Sequence, residues 1–175
     1  MFPHPFFAVL VALALLLVSS QATPATTDGA KVYLFEHNFV RREKGISEHL
    51  EWSDKLAKDA SLYARFRRDK YLCTPGIFDK KRYGVGCNQW LEDSVKIMDP
   101  REVMRQWVKD RFYYNEGNNS CVPANYPCGD YTQIVWRKTK YLGCAQAECG
   151  PDYGGVRLNV CFYYPPGNVP GERPY

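Results

Sequence analysis

Residues 142–164 read LGCAQAECGPDYGGVRLNVCFYY, and how this stretch folds back on itself decides the architecture. In VRLNVCFYY (156–164), Val156, Leu158, Val160, Phe162 and Tyr164 alternate with Arg157, Asn159, Cys161 and Tyr163, the period of a strand with one buried face. LGCAQAE (142–148) reads as its antiparallel partner and the turn-rich CGPDYGG (149–155) as the hairpin tip. A tip centred between Asp152 and Tyr153 sets Cys144 directly opposite Cys161, which predicts a disulfide from register alone.

Upstream of the hairpin, QIVW (133–136) is strand-like, and Cys121 and Cys128 bracket the loop VPANYP closely enough to close it. Of the other three of the 7 cysteines, Cys73, Cys87 and Cys149, two are expected to pair and one to remain a thiol. Earlier still the period is helical. KVYLFEHNFVRREKG (31–45) places Val32, Leu34 or Phe35, and Phe39 on one stripe, with Gly45 as the stop. Ser53 caps DKLAKDASLYARFRRDK (54–70), whose Leu56, Ala60, Tyr63, Ala64 and Arg67 share a face. Asp99, Pro100 and Glu102 stand at the N-cap, first and third positions of a helix that continues through Val103, Met104, Trp107 and Val108. Helices first and a hairpin last predict an α+β fold with helices packed on an antiparallel sheet.

FFAVLVALALLLV (6–18), followed by Ser20 and Ala22 at cleavage spacing, reads as a secretory signal over residues 1–22. TPATTDGA (23–30) reads as a leader, and residues 31–175 as one domain. The net charge of +4 is spread over runs such as RFRRDK (65–70) and DKKR (79–82) that also carry acids, so they read as solvated surface and no nucleic-acid partner is expected. A monomer without stable membrane insertion after signal cleavage is expected. The chain contains no GxSxG, HExxH, Gly-rich phosphate loop or CxxC, and His37 and His49 are its only histidines beyond the signal.

HNFVR (37–41), LEWSDKLAKDASLYARFR (50–67), CGDYTQIVWRKTKYLGCA (128–145) and VCFYYPPGNVPGERPY (160–175) together resemble the cysteine-rich CAP superfamily, in its plant pathogenesis-related protein 1 branch. The resemblance implies a disulfide-stabilised three-layer α-β-α sandwich. It also implies the pairs Cys144 to Cys161, Cys121 to Cys128 and Cys73 to Cys149, although Cys73 sits two residues later after Tyr63 than the family spacing. Many members hold a cleft set of two histidines and two glutamates able to bind zinc. In this chain GDYTQ replaces the family's GHYTQ, so Asp130 stands where one imidazole would be. YGVGCN replaces YGEN, leaving Cys87 near a glutamate position; TPGIF after Cys73 offers no histidine; and Asp110 in WVKD is one methylene shorter than the family's glutamate. The set therefore reads as degenerate, with no metal, no cofactor and no catalytic residue expected. The loss of the histidines, the NQW after Cys87 and CFY for the family's CNY resemble the pistil-expressed subgroup.

The resemblance further implies a secreted, non-enzymatic, defence-associated protein that binds sterol or another lipid; a metal-dependent hydrolase is the competing class. Trp107, Phe112, Tyr113 and Tyr114 form the candidate ligand surface, since aromatic faces can cover a fused-ring ligand, with Trp107 also suited to the core. Asn118 in NNS is a glycosylation sequon. The tail PPGNVPGERPY (165–175) matches the segment that the family releases as a signalling peptide, with Pro165 as its first residue, or it packs on the sheet as a proline-stiffened cap.

Overall fold

The computed structural model of the chain describes residues 23–92, 98–150 and 155–175. The signal over 1–22 and the centre of the hairpin tip at Asp152 and Tyr153 lie outside the described residues. Strand β1 (Thr23–Pro24) leads into α1 (Thr27–Glu43), whose first turn is capped by the Thr26 hydroxyl accepting from the Gly29 amide. Strand β2 (Glu51–Trp52) precedes α2 (Asp54–Tyr71), capped by Ser53, and α3 (Lys80–Tyr83) precedes β3 (Gly86–Leu91). Helix α4 (Pro100–Lys109) begins with a reciprocal capping box between Asp99 and Glu102 and with Pro100 in the first turn, as those residue types dictate. A 3-10 turn (Asp110–Tyr113), the small ribbon β4 (Tyr114–Asn115) and β5 (Ser120–Cys121), and α5 (Gly129–Ile134) follow. The hairpin β6 (Tyr141–Glu148) and β7 (Arg157–Tyr164) closes the fold.

The sheet runs β1-β6-β7-β3 with antiparallel neighbours, and β2 adds in parallel to β6. Cys144 pairs with Cys161, the register read from the sequence, and the two are bridged. Cys121 to Cys128 and Cys73 to Cys149 are the other disulfides. Cys73 reaches its partner despite the altered spacing because Leu72 and Cys73 both take positive φ, 50° and 62°, and the Cys73 amide donates back to the Arg67 carbonyl.

Three layers result. Helix α2 lays Leu56, Ala60, Tyr63 and Ala64 on Ala145, Ala147, Leu158, Val160 and Phe162. On the other face Tyr33, Val40, Val103, Met104, Trp107, Tyr131 and Ile134 of α1, α4 and α5 pack against Leu142, Cys144, Cys161 and Tyr163. Strand β7 is therefore buried on both faces, with Asn159, Cys161 and Tyr163 each at 0% exposure, and the single buried face expected from its alternation is corrected. Its second face is lined by residues whose hydroxyl and amide groups find buried partners rather than water.

Three further expectations change. QIVW lies not in a strand but at the end of α5 and just beyond it, because three apolar residues in a row are too few to fix a period and one helical turn buries Tyr131, Thr132, Gln133 and Ile134 together. The buried stripe of α1 is Tyr33, His37, Val40 and Arg41, while Phe35 and Phe39 are exposed at 57% and 39%. The leader is part of the domain: Thr23 pairs with Gln146, and α1 begins at Thr27 rather than Lys31. At Gly143 the strand meets α2 so closely that a Cβ there would lie 2.2 Å from the Ala57 nitrogen.

The tail is a cap. Pro165 accepts from the Thr139 hydroxyl, Gly167 donates to Gln133 Oε1, and Lys80 Nζ donates to the carbonyls of Gly167 and Asn168. Asn168 accepts from Thr132 Oγ1 and donates to the Gly129 carbonyl. The last residues tie to the start of the ribbon turn, Arg173 donating to the Glu116 and Gly117 carbonyls and Tyr175 to the Glu116 carboxylate.

Candidate functional site

Asp110 ends α4 and Asp130 begins α5, and the fold brings these two carboxyls together beneath β3. The Asp110 carboxylate accepts from the Asp130 backbone amide, and the Asp130 carbonyl accepts from Asn88 Nδ2 at 3.0 Å. Burial, then the charge of Asp130, pushes the Tyr163 hydroxyl well above its usual range, with the Asn88 amide acting against the shift. That hydroxyl lies 2.8 Å from His37 Nε2, while His37 Nδ1 lies 2.7 Å from the Tyr33 carbonyl. A carbonyl only accepts, so Nδ1 carries the proton and Nε2 accepts from Tyr163. The cleft aspartates thus stand at one end of a buried polar chain running through Asn88 and Tyr163 to the core of α1.

Cys87, the third residue expected at the site, is elsewhere. It pairs with Phe162 in the β3–β7 ladder and packs with the α2 layer, whereas Asn88 and Trp90 alternate toward the aspartates. Its Sγ is the free thiol among the described residues, and burial, then the charge of Asp130, pushes it well above the usual thiol range. Alkylation without reduction is expected to label one site per chain, slowly in the native protein because Cys87 is only partly exposed and its thiol is held protonated; mass mapping that found the label at Cys73 would contradict this placement.

Burial pushes the Asp130 carboxyl up to about 8, with the charge of Asp110 adding to it, and burial pushes Asp110 up to about 6 against the hydrogen bond it accepts. Among the described residues no group of three or more His, Cys, Asp or Glu side chains is placed to hold a metal ion. Two carboxyls, one still protonated near neutrality, with no imidazole facing them and the thiol on the other face, do not fit the four-donor requirement of zinc.

The same shifts dictate a pH response. A carboxyl raised above its ordinary value of 3.8 stabilises the fold fully below that pH, and the contribution is lost as pH rises through the folded value. His37 acts oppositely, since burial drives it from 6.5 down to about 3 and the unfolded chain then binds the extra proton. Between pH 7 and 8 Asp130 dominates, because Asp110 is by then mostly ionised and His37 is mostly neutral in the unfolded chain as well. Stability is expected to fall there by up to about 1.4 kcal/mol per pH unit, and Asp130→Asn to flatten the decline. Urea midpoints across that window measure it; an undiminished slope in the variant would place the proton elsewhere.

The aromatic residues expected to form one ligand surface are separated. Trp107 is 1% exposed and packs on Tyr33 in the core. Tyr113 stacks on Tyr126 at 4.6 Å, and the Tyr114 hydroxyl donates to Asn119 on the ribbon side. Phe112 alone stands out, 74% exposed beneath the Arg111 guanidinium. It lines a groove of about 420 Å³ between α1 and α4 with Phe39, Val40, Met104 and Val108, rimmed by Glu36, Glu43, Arg105, Lys109 and Arg111. Sequence reading missed Phe39 because its period assigned that residue to the core. Asn118 is exposed in the turn between β4 and β5, its Oδ1 accepting from Ser120.

No described helix is long and apolar enough to cross a membrane. Residues 34–164 match the model of the cysteine-rich secretory protein (CAP) family. The chain is 44% identical over 146 residues to the STS14 protein of Solanum tuberosum, covering 83% of this chain and 65% of that protein. It is 34% identical to pathogenesis-related protein 1A of Nicotiana tabacum, over 98% of this chain and 95% of the relative. Human peptidase inhibitor 16 is 36% identical over 97% of this chain, which spans 37% of that longer protein. Among solved structures, venom allergen-like protein 4 of Schistosoma mansoni superposes with a TM-score of 0.65 at 24% identity, over 86% of this chain and 95% of the other. BmVAL-1 gives 0.68 at 21% identity, over 86% and 82%. With its three layers, its disulfides and these relatives, the chain belongs to the cysteine-rich secretory protein family, in the plant pathogenesis-related protein 1 branch.

Proposed function

We propose that the protein is a secreted, non-enzymatic, defence-associated binding protein that holds a sterol or another lipid in the groove between α1 and α4. The observation that carries this is the exposure of Phe112 and Phe39 over the buried Met104 and Val40, an apolar floor inside a charged rim. Such a surface is maintained at a cost in water, and a ligand with a flat or extended apolar body relieves that cost. Charges of both signs at the rim suit a ligand with one polar end. Secretion is supported by the signal-like run at 6–18 and by the disulfides.

Titration of a fluorescent sterol and of a fluorescent long-chain fatty acid into the purified protein tests the reading. Phe39→Ala with Phe112→Ala is expected to weaken binding by about tenfold to a hundredfold, the worth of two aromatic contacts. Neither side chain belongs to the buried core, so the fold should survive; equal affinity in the folded variant, or no binding by the native protein, ends the proposal.

The hydrolase reading loses support because the aspartate pair lacks the donors of a metal site. Release of a peptide beginning at Pro165 would require breaking the bonds that Thr139, Gln133, Lys80 and Thr132 make to the tail, and the packing of Gly167 on Trp136, so the cap is the better-supported role.

A further inference from the structure

We propose a second binding site, for a neutral oligosaccharide, in a tyrosine-lined groove on the α2 side of the sheet, on the opposite layer from the α1–α4 groove. Tyr141 and Tyr164 pair directly across β6 and β7. Both project toward the α2 layer, because they lie two positions from Gly143, which meets the α2 backbone, and Phe162, which packs under it. With Tyr83 they line a cavity of about 440 Å³ that also takes in Lys55 and Asp59 of α2. Tyr83, Tyr141 and Tyr164 are 40%, 39% and 49% exposed, so each keeps ring surface free for a ligand. Tyr83 is held in place, stacked on Phe78 at 4.9 Å and edge-on to Tyr63 at 5.6 Å. A fixed ring loses little entropy when something packs on it.

The groove is longer than one sugar ring requires. A second cavity of about 390 Å³ shares Asp59, Tyr83 and Val85 with the first and adds Phe66 and Arg82. Two cavities joined across one aromatic ring suit a chain of repeating units.

The lining chemistry selects the class. A pyranose presents apolar C–H faces that pack on aromatic rings and a rim of hydroxyls that need donors and acceptors, and each tyrosine offers both a face and a hydroxyl. Lys55 Nζ and Asp59 Oδ2 lie 2.7 Å apart as an i,i+4 ion pair, so the first cavity offers both hydrogen-bonding senses without net charge. A sterol or acyl chain would leave the tyrosine hydroxyls and this ion pair unused. A peptide adding as a strand needs free backbone groups, and those beside the cavity are used: Lys140 N donates to Tyr164 O, Ser53 N to Leu142 O, and Gly84 N to Lys80 O.

Saturation-transfer NMR on the full-length folded protein tests this, with cellotetraose and chitotetraose as neutral probes and tetragalacturonate as the anionic one. The expected result is transfer to ring C–H protons of a neutral probe, with affinity reduced about tenfold or more in Tyr83→Ala or Tyr164→Ala and unchanged in Phe112→Ala. Should a tyrosine variant fail to fold, Asp59→Asn gives the same reading through a several-fold loss. The proposal is overturned by no transfer from either neutral probe at millimolar concentration, by preferential binding of tetragalacturonate, or by folded variants that bind like the native protein.

Discussion

Replacing Arg41 with methionine is expected to destabilise the protein by roughly 3–5 kcal/mol, the cost of leaving a buried charged network half-made. Arg41 is fully buried, yet among the described residues its guanidinium hydrogen-bonds to no carboxylate. Instead it donates to five backbone carbonyls, those of Glu48, Ile134, Trp136, Arg137 and Thr139. Burial pushes it down to about 10, so it remains charged at neutrality, compensated by carbonyl dipoles. Methionine fills much of the volume but donates nothing, so these carbonyls lose their guanidinium donor, Trp136 keeping the one from the Thr139 amide. Lysine, with one compact donor group in place of a planar fork, should fall between the two. Denaturant titration measures the loss, and hydrogen exchange should quicken first in residues 135–140. A methionine variant within about 1 kcal/mol of the native protein would show that water or side-chain rearrangement replaces the guanidinium.

Gly143→Ala is expected to cost about 3 kcal/mol or more, through overpacking rather than through any lost contact. The added methyl would lie 2.2 Å from the Ala57 nitrogen and 2.6 Å from both the Leu56 carbonyl carbon and Cβ. Two of those neighbours are helix backbone, so relief requires α2 to lift from β6 and to loosen Leu56, Ala60 and Ala64 together. In a strand, alanine would ordinarily be preferred to glycine on entropy, so a stabilised variant would be a clear sign that α2 sits further from the sheet. Thermal unfolding with near-UV circular dichroism distinguishes the outcomes.

The legible parts of the fold were those whose signals are local. Asp99, Pro100 and Glu102 announce the start of α4 within four residues, and the alternation of β7 with the turn-rich 149–155 fixes the register that pairs Cys144 with Cys161. The pairing of Cys73 with Cys149 came through family resemblance, since nothing near either residue names the partner. What escaped reading was set by the third layer. The inward side of α1 carries His37 and Arg41, which hydropathy assigns to solvent, so Phe35 and Phe39 took their place in the expected core. At the site, Asp110 and Asp130 are placed by their motifs at helix ends, and their approach to each other is set by the fold. The face of Cys87, by contrast, depends on how β3 registers against β7, seventy-odd positions away, and no spacing around YGVGCN encodes it. The ligand surface at the end of α4 came apart for a related reason: Trp107, Phe112, Tyr113 and Tyr114 are neighbours in sequence, but the helix gives way to a 3-10 turn at Asp110 and then a strand, which send them in different directions.

The strand order also bears on when the protein can acquire its shape during synthesis. Strands β1 and β2 have only β6 to pair with in the main sheet and β3 has only β7, so every early strand waits for the hairpin at Tyr141–Tyr164. The ribosome therefore delivers five described helices and three strand segments of that sheet before its first ladder has a template. The main sheet cannot assemble until residues 141–164 are made, so the apolar faces of the nascent chain are long exposed and Cys73 is made 76 residues before Cys149. The loop between Cys121 and Cys128, 7 residues apart in sequence, can by contrast be bridged before the hairpin exists.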